Sequence, residues 1–252
     1  MDLKQVEQNE PFQGISELLG IASNEKTVLS VVGAGGKTTL IFALAKELSA
    51  LGRRVAVTTT THIFYPDDSL CRDVVTDGDF KKTDTILKSS GFVTVGTSAE
   101  NGKLSAPSDD MLNYLCDAAD ILLIEADGSH RLPVKVPNER EPVILKKTQK
   151  IVALCGLLSL GQPIHSACHR AELAEQFLQV KEDHIIDAND LAKLLYYSYG
   201  YFGSQLTAVL NQADNNSLCA QAEIISGILR KKGVPRVAIT SFFSNRFKYD
   251  LA

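Results

Sequence analysis

The chain has 252 residues, of which 44% are hydrophobic and 22% charged, enough to build a sizeable core in one large α/β domain or two small ones. A formal net charge of −4 argues against bulk electrostatic binding of nucleic acid. Five scattered cysteines without C-x-x-C spacing argue against a disulfide framework or zinc ribbon, and no stretch approaches the ~18 apolar residues of a membrane span. A soluble, cytoplasmic protein that uses neither nucleic acid nor membrane as a partner is the expectation.

Residues 1–13 are polar and read as a loose lead-in, and Ile15 to Ile21 has the spacing of a short amphipathic helix. Val28 to Val32 is an apolar strand that runs into Gly33-Ala34-Gly35-Gly36-Lys37-Thr38-Thr39, after which Leu40 to Leu51 carries helical spacing, with Ile41, Leu44, Ala45, Leu48 and Leu51 on its buried face. Strand, glycine loop and helix in that order form a phosphate grip. Glycines let backbone N–H groups turn inward, and the helix N-terminus adds the positive end of its dipole. The pattern expects Lys37 on the β- and γ-phosphates of ATP or GTP and the Thr38 hydroxyl on Mg²⁺. The usual eight-residue motif places a glycine at position 31, where this chain has Val31, so the local form is a shorter G-x-x-G-K-T-T.

Arg54 to Thr58 reads as the second strand, and TTTTHIF (Thr58 to Phe64) continues from its carboxyl end. Ligands bind at the carboxyl ends of parallel strands, so Thr60, Thr61 and His62 are expected near the γ-phosphate. A short strand at Asp73 to Thr76, a helix at Asp79 to Ser89 and a strand at Phe92 to Gly96 follow. Asn101-Gly102 is a hairpin signal, and a helix starts at Pro107 and runs to Ala118. Ile121 to Ile124 is then a buried strand ending in Glu125-Ala126-Asp127. Carboxylates there serve Mg²⁺ or orient the attacking group, and the pattern leaves open which of Glu125 and Asp127 does which. Lys37, Glu125 and Asp127 are the candidate catalytic residues, with Thr38 and Asp127 the candidate metal ligands.

Residues 129–149 are punctuated by Pro133, Pro137 and Pro142, which rule out a regular helix, and place His130, Arg131 and Lys135 as cations for an anionic substrate. Beyond a strand at Ile151 to Leu154, Cys168-His169 is the one pair with potential thiol or metal chemistry. A helix opens near Arg170, and another covers Ile186 to Tyr199, with Asp187 as its N-cap. The aromatic run Tyr196 to Phe202 suits core packing or a partner face. Leu206 to Leu210 is a strand ending in Asn211-Gln212-Ala213-Asp214, similar to the N-K-x-D element that reads guanine, with glutamine in the lysine position. Asn211 and Asp214 are therefore candidates for the base. A helix at Ser217 to Lys231 and a strand at Arg236 to Thr240 close the sheet. The fold expected is α/β, a P-loop NTPase-like three-layer sandwich with a mostly parallel sheet, formed by residues 1–252 as a single domain.

VGAGGKTT (Val32 to Thr39), TTTTHIF (Thr58 to Phe64), IEADGSHRLPVKVPNEREPVI (Ile124 to Ile144), HRAEL (His169 to Leu173) and LNQAD (Leu210 to Asp214) together resemble the selenium-dependent molybdenum hydroxylase accessory protein family. The glycine loop and the strand-end carboxylates point to a Mg²⁺-dependent NTPase or phosphotransferase that uses ATP or GTP; the resemblance covers about residues 15–242 and implies a nucleotide-binding protein. It would act in maturation of a selenium-dependent molybdenum hydroxylase, with the hydroxylase or its cofactor as partner. Gln212 departs from that family's frequent lysine. The short glycine loop is also similar to that of Mur-type ligases. Alternatives are therefore a Mur-ligase-like or kinase-like enzyme on a small anionic substrate, or a low-turnover nucleotide-dependent binding module.

Overall fold

Short apolar runs bounded by glycine, proline and charged turns become strands buried on both faces, the signature of a parallel sheet covered by helices. The computed structural model describes residues 14–22, 24–242 and 246–251; the lead-in expected over residues 1–13 lies outside them. In chain order the elements are α1 (Ile15–Leu18), β1 (Thr27–Gly33), α2 (Lys37–Ala50), β2 (Val55–Thr59), β3 (His62–Phe64), β4 (Val74–Val75), α3 (Phe80–Ser89), β5 (Phe92–Val95), β6 (Thr97–Ala99), β7 (Lys103–Ser105) and α4 (Asp109–Ala118). They continue with β8 (Ile121–Glu125), β9 (Val134–Lys135), β10 (Lys150–Gly156), α5 (Ile164–Ala167), β11 (Cys168–His169), α6 (Ala171–Leu178), α7 (Ala188–Tyr199), β12 (Leu206–Asn211), α8 (Asn216–Lys231), β13 (Arg236–Ser241) and β14 (Arg246–Leu251).

The main sheet runs β14-β13-β12-β10-β1-β8-β2-β5-β4 and is parallel except for β14, which pairs antiparallel with β13. Alternate residues of β1 face opposite helix layers. Leu29 and Val31 pack with α1 and α2, while Val28 and Val32 join the layer built from α4, α7 and α8. The fold is therefore the expected three-layer α/β sandwich with a mostly parallel sheet. α2 buries Leu40, Ile41, Phe42, Leu44 and Leu48, each worth about 1.5–3 kcal/mol of burial. Asp79, Ser108, Asp187 and Asn215 cap their helices by accepting from a backbone N–H three residues on. Among the described residues, no helix is long and apolar enough to cross a membrane.

Several expectations need correction. Leu51 is 67% exposed, because α2 ends at Ala50 and Leu51 is its C-cap. Only Thr58 and Thr59 of TTTTHIF belong to the second strand. The chain bends out of the sheet after Thr59, and β3 joins the separate three-stranded sheet β3-β7-β6, whose β6-β7 hairpin turns at Asn101-Gly102. β13 does not close the sheet; β14 lies beyond it. The proline loop carries a two-residue strand, β9, paired parallel with β11.

Register brings the informative segments together. Val31 in β1 and Thr59 in β2 both lie opposite Glu125 of β8, so the glycine loop, the threonine bend and the Glu125–Asp127 turn emerge side by side at the carboxyl edge.

Candidate functional site

The loop after β1 is held in a shape only glycine tolerates. Gly33 has φ +90°, and a Cβ there would lie 2.2 Å from the Leu154 carbonyl oxygen. Gly35 has φ +84°, and its Cβ would lie 2.5 Å from the Gly156 Cα. Val31, where the longer motif has glycine, is buried inside β1 opposite Val152, so the turn begins only at Gly33 and the loop is correspondingly short. Ala34 N–H donates to the Leu154 carbonyl (3.0 Å), and Gly33 N–H donates to Asp127 Oδ2 (2.9 Å). From Gly35 onward the pairing stops. Among the described residues, the N–H groups of Gly35, Gly36, Lys37, Thr38 and Thr39 have no hydrogen-bond acceptor. Five consecutive orphan donors at the start of a 14-residue helix form a ready anion site.

The two carboxylates at the end of β8 have different surroundings. Glu125 is buried, accepts from the Thr38 hydroxyl (Oγ1 to Oε2, 3.1 Å) and lies 4.0 Å from Lys37 Nζ. Burial pushes its carboxyl above the usual range; Lys37 and the Thr38 hydrogen bond pull it back only in part. Asp127 is fully buried. Its Oδ2 receives the Gly33 N–H, the Tyr199 hydroxyl (3.2 Å) and Lys135 Nζ (3.3 Å). Its Oδ1 has Lys37 Nζ at 3.1 Å. Lys37 also donates to the Gly33 carbonyl at 2.7 Å. Burial, then the Asp127 charge, drives the Tyr199 hydroxyl well above its ordinary value, so it remains a neutral donor.

A cleft of about 880 Å³ lies against the loop. Of the residues singled out from sequence, Gly35, Gly36, Lys37, Thr38, Thr39, Thr61, His62, Glu125, His130 and Arg131 line it. Gly33, Ala34 and Asp127 sit behind its wall. Thr60 turns its hydroxyl to the Val143 carbonyl (2.7 Å) and is not among the lining residues. Lys135, expected as a substrate cation, is fully buried between Asp127 and Glu141 (Oε2, 2.7 Å), with a further bond to the Gly128 carbonyl. β9 is why: its pairing with β11 carries the lysine inward. Asn211 is also committed internally, donating to the Gly35 carbonyl (2.7 Å) and accepting from Thr240 (2.8 Å), and Asp214 accepts from Ser241. Neither lines the cleft; Gln212 between them does.

Phe64 and Lys103 also line the cleft, and neither was singled out from sequence. Phe64 lies between two cations, Arg131 (4.5 Å from the ring centroid) and Lys103 (5.3 Å). β3 pairing with β7 puts Phe64 directly opposite Lys103; the Asn-Gly turn was the available signal, but its partner strand was not. His130 stacks on His169 at 4.3 Å, and burial, then Arg170 and His130, hold His169 down at about 4 and so neutral at pH 7. Burial pushes the Cys168 thiol up to about 12, which removes thiolate chemistry from the Cys168-His169 pair. No group of three metal-ligating His, Cys, Asp or Glu side chains converges among the described residues.

Residues 29–172 match the YqeC protein family. The chain belongs to that family. It is 36% identical over 188 residues to a relative from Escherichia coli K12, "Uncharacterized protein YqeC", with 72% of each chain covered. It is also similar to two solved structures. The hydrogenase maturation factor HypB from Archaeoglobus fulgidus has TM-score 0.43 and 12% identity, with 91% of this chain and 87% of that one covered. The signal recognition particle receptor FtsY from Elizabethkingia anophelis has TM-score 0.44 and 14% identity, with 94% and 66% covered.

Proposed function

We propose that this YqeC-family chain binds the phosphates of ATP or GTP with Mg²⁺ on the Gly33–Thr39 loop and acts as a nucleoside triphosphatase or phosphotransferase. The observation that carries the reading is the run of five unpartnered N–H groups at the start of α2, facing a cleft that also receives Lys37, Thr38 and Glu125. Backbone amides bind the phosphate oxygens, and the α2 dipole favours their charge. The donor set suits a hard cation: the Thr38 hydroxyl and the Glu125 carboxylate are adjacent oxygen ligands at the cleft wall. Mg²⁺ held there would neutralise charge on the transferring phosphate. Glu125 therefore takes the metal role, and Asp127, fully buried behind the cleft wall, does not. Arg131 at the cleft offers positive charge, and His62 a hydrogen-bonding ring, to an anionic second substrate.

With Asn211 and Asp214 engaged by the protein, the geometry favours neither guanine nor adenine. The likeness of the EADGS-x-x-LP-x-K-x-P segment to the hydroxylase accessory family supports a role in maturing a selenium-dependent molybdenum hydroxylase. Loss of that hydroxylase's activity in a deletion strain, restored by the unaltered chain, is its test.

Thermal shift with ATP and GTP, each with and without Mg²⁺, tests the nucleotide reading. Ligand at a hundred times Kd adds about 2.7 kcal/mol, a rise of about 5–10 °C for a domain of this size. The reading expects that rise for at least one nucleotide and its loss in Lys37→Ala. No shift with either overturns it. Binding without Mg²⁺-dependent phosphate release would assign the low-turnover binding module instead.

A further inference from the structure

The two oxygens of Asp127 are unequally engaged. Oδ2 is surrounded by fixed partners: the Gly33 N–H, the Tyr199 hydroxyl and Lys135. Oδ1 has no hydrogen-bond partner of good geometry, and its near neighbour is Lys37 Nζ at 3.1 Å. Lys37 is 3% exposed, and among the described residues its ammonium pairs with Oδ1, the Gly33 carbonyl and, more distantly, Glu125. To reach a phosphate on the α2 amides it must give up Asp127. A fully buried carboxylate does not release its only cation cheaply.

Lys135 removes that obstacle. Its ammonium lies 3.3 Å from Oδ2 and is itself fixed by Glu141 at 2.7 Å and by the Gly128 carbonyl. Glu141 is in turn held by Arg170 at 2.8 Å. Burial raises the Glu141 carboxyl, but hydrogen bonds from Lys135 and Arg170 outweigh it and the net shift is downward, so the group stays ionised at neutral pH. We infer that Lys135 is a positioning residue for nucleotide binding: it stays on Asp127 as the resident counter-ion, so that Lys37 can exchange Oδ1 for phosphate. The inference rests on the nucleotide reading above and deepens it. Lys135 touches no substrate; it sets how freely Lys37 moves.

The test compares two ligands by isothermal titration calorimetry: the Mg²⁺ complex of whichever nucleoside triphosphate binds better, and the matching monophosphate. Lys37 is placed to contact the β- and γ-phosphates, which only the first ligand has. In Lys135→Met, triphosphate affinity falls at least about tenfold while monophosphate affinity is unchanged. Lys135→Arg, which keeps the charge, retains most of the triphosphate affinity. The double variant Asp127→Asn with Lys135→Met no longer has the Asp127 charge that would hold Lys37 back from phosphate, so its triphosphate affinity recovers toward that of the unaltered chain. A purely structural role for Lys135 predicts equal losses for both ligands and no recovery, and either result overturns the inference. Unchanged triphosphate affinity in Lys135→Met also overturns it. If Lys135→Met does not fold, Tyr199→Phe removes one fixed donor from Oδ2 and should show a smaller loss with the same selectivity; a non-selective loss or none overturns the inference. Should the unaltered chain bind no triphosphate, the nucleotide reading falls and takes the inference with it. Normal binding with an indifferent Lys135 leaves that reading standing.

Discussion

Replacing Asp127 with asparagine removes one negative charge from between two buried ammonium groups and keeps the side chain's shape. The Asn oxygen still accepts the Gly33 N–H and the Tyr199 hydroxyl, so the loss is electrostatic. Lys135 keeps Glu141 at 2.7 Å, but Lys37 is left with Glu125 at 4.0 Å. Breaking a buried ion pair by removing one partner costs about 3–5 kcal/mol, and the surviving Lys135–Glu141 pair places this case near ~3 kcal/mol. In urea at pH 7, with a slope of about 2–3 kcal/mol/M, the midpoint should fall by roughly 1 M at unchanged slope. Glu125→Gln is the contrast. Burial and the Asp127 charge already disfavour ionised Glu125, and the glutamine retains an acceptor for Thr38. Its midpoint should hold or rise. Were Asp127 an open metal ligand, the pattern would invert: Asp127→Asn would relieve repulsion with Glu125 and stabilise the metal-free chain. An unchanged or higher midpoint for Asp127→Asn refutes the reasoning.

Gly35→Ala forces a Cβ to 2.5 Å from Gly156 at a φ of +84°, so it should displace the loop and abolish the nucleotide-dependent thermal shift while circular dichroism stays that of an α/β fold. The Asp120 carboxyl is held down at about 2 by hydrogen bonds from Arg54, opposed by burial. Because its folded value is depressed, its stabilisation is present above the unfolded value of ~3.9 and is lost as pH falls through about 2. Discounted for partial exposure, unaltered chain minus Asp120→Asn should differ by about 1–2 kcal/mol at pH 6 in chemical denaturation, and the gap should close by about pH 2. Burial pushes the Cys155 and Cys168 thiols up to about 12. Native protein at pH 8 should therefore modify at the half-buried Cys219 long before either, as read by mass spectrometry after alkylation.

Periodicity was enough for the main elements, because strands buried on both faces read as unbroken apolar runs and α3, α4, α7 and α8 carry side-chain caps. β14 escaped because RFKYDL has no apolar run to mark it. β9 and β11 escaped because two-residue strands have no period, and with them went the position of Lys135. A lysine in a polar, proline-rich loop reads as solvated; only the β9–β11 pairing and the Asp127 and Glu141 carboxylates explain its burial. The glycine loop and its place before α2 were legible because the pattern is local: glycines, a lysine and a helix start within seven residues. The different surroundings of Glu125 and Asp127 were not, since they depend on Tyr199, 72 residues from Asp127, and on which oxygen faces Thr38. Asn211 and Asp214 matched a base-reading pattern, yet both are held by partners on the loop and on β13, contacts that no local motif encodes.

A crystal structure of the chain grown with a non-hydrolysable ATP or GTP analogue and Mn²⁺ in place of Mg²⁺ would test the central claim most directly. Phosphate density should lie on the N–H groups of Gly35 to Thr39. The anomalous peak should fall beside Thr38 Oγ1 and the Glu125 carboxylate, with Lys37 Nζ turned from Asp127 toward phosphate and Lys135 still on Asp127. Phosphates bound away from this loop, or a metal seated on Asp127, would contradict the account.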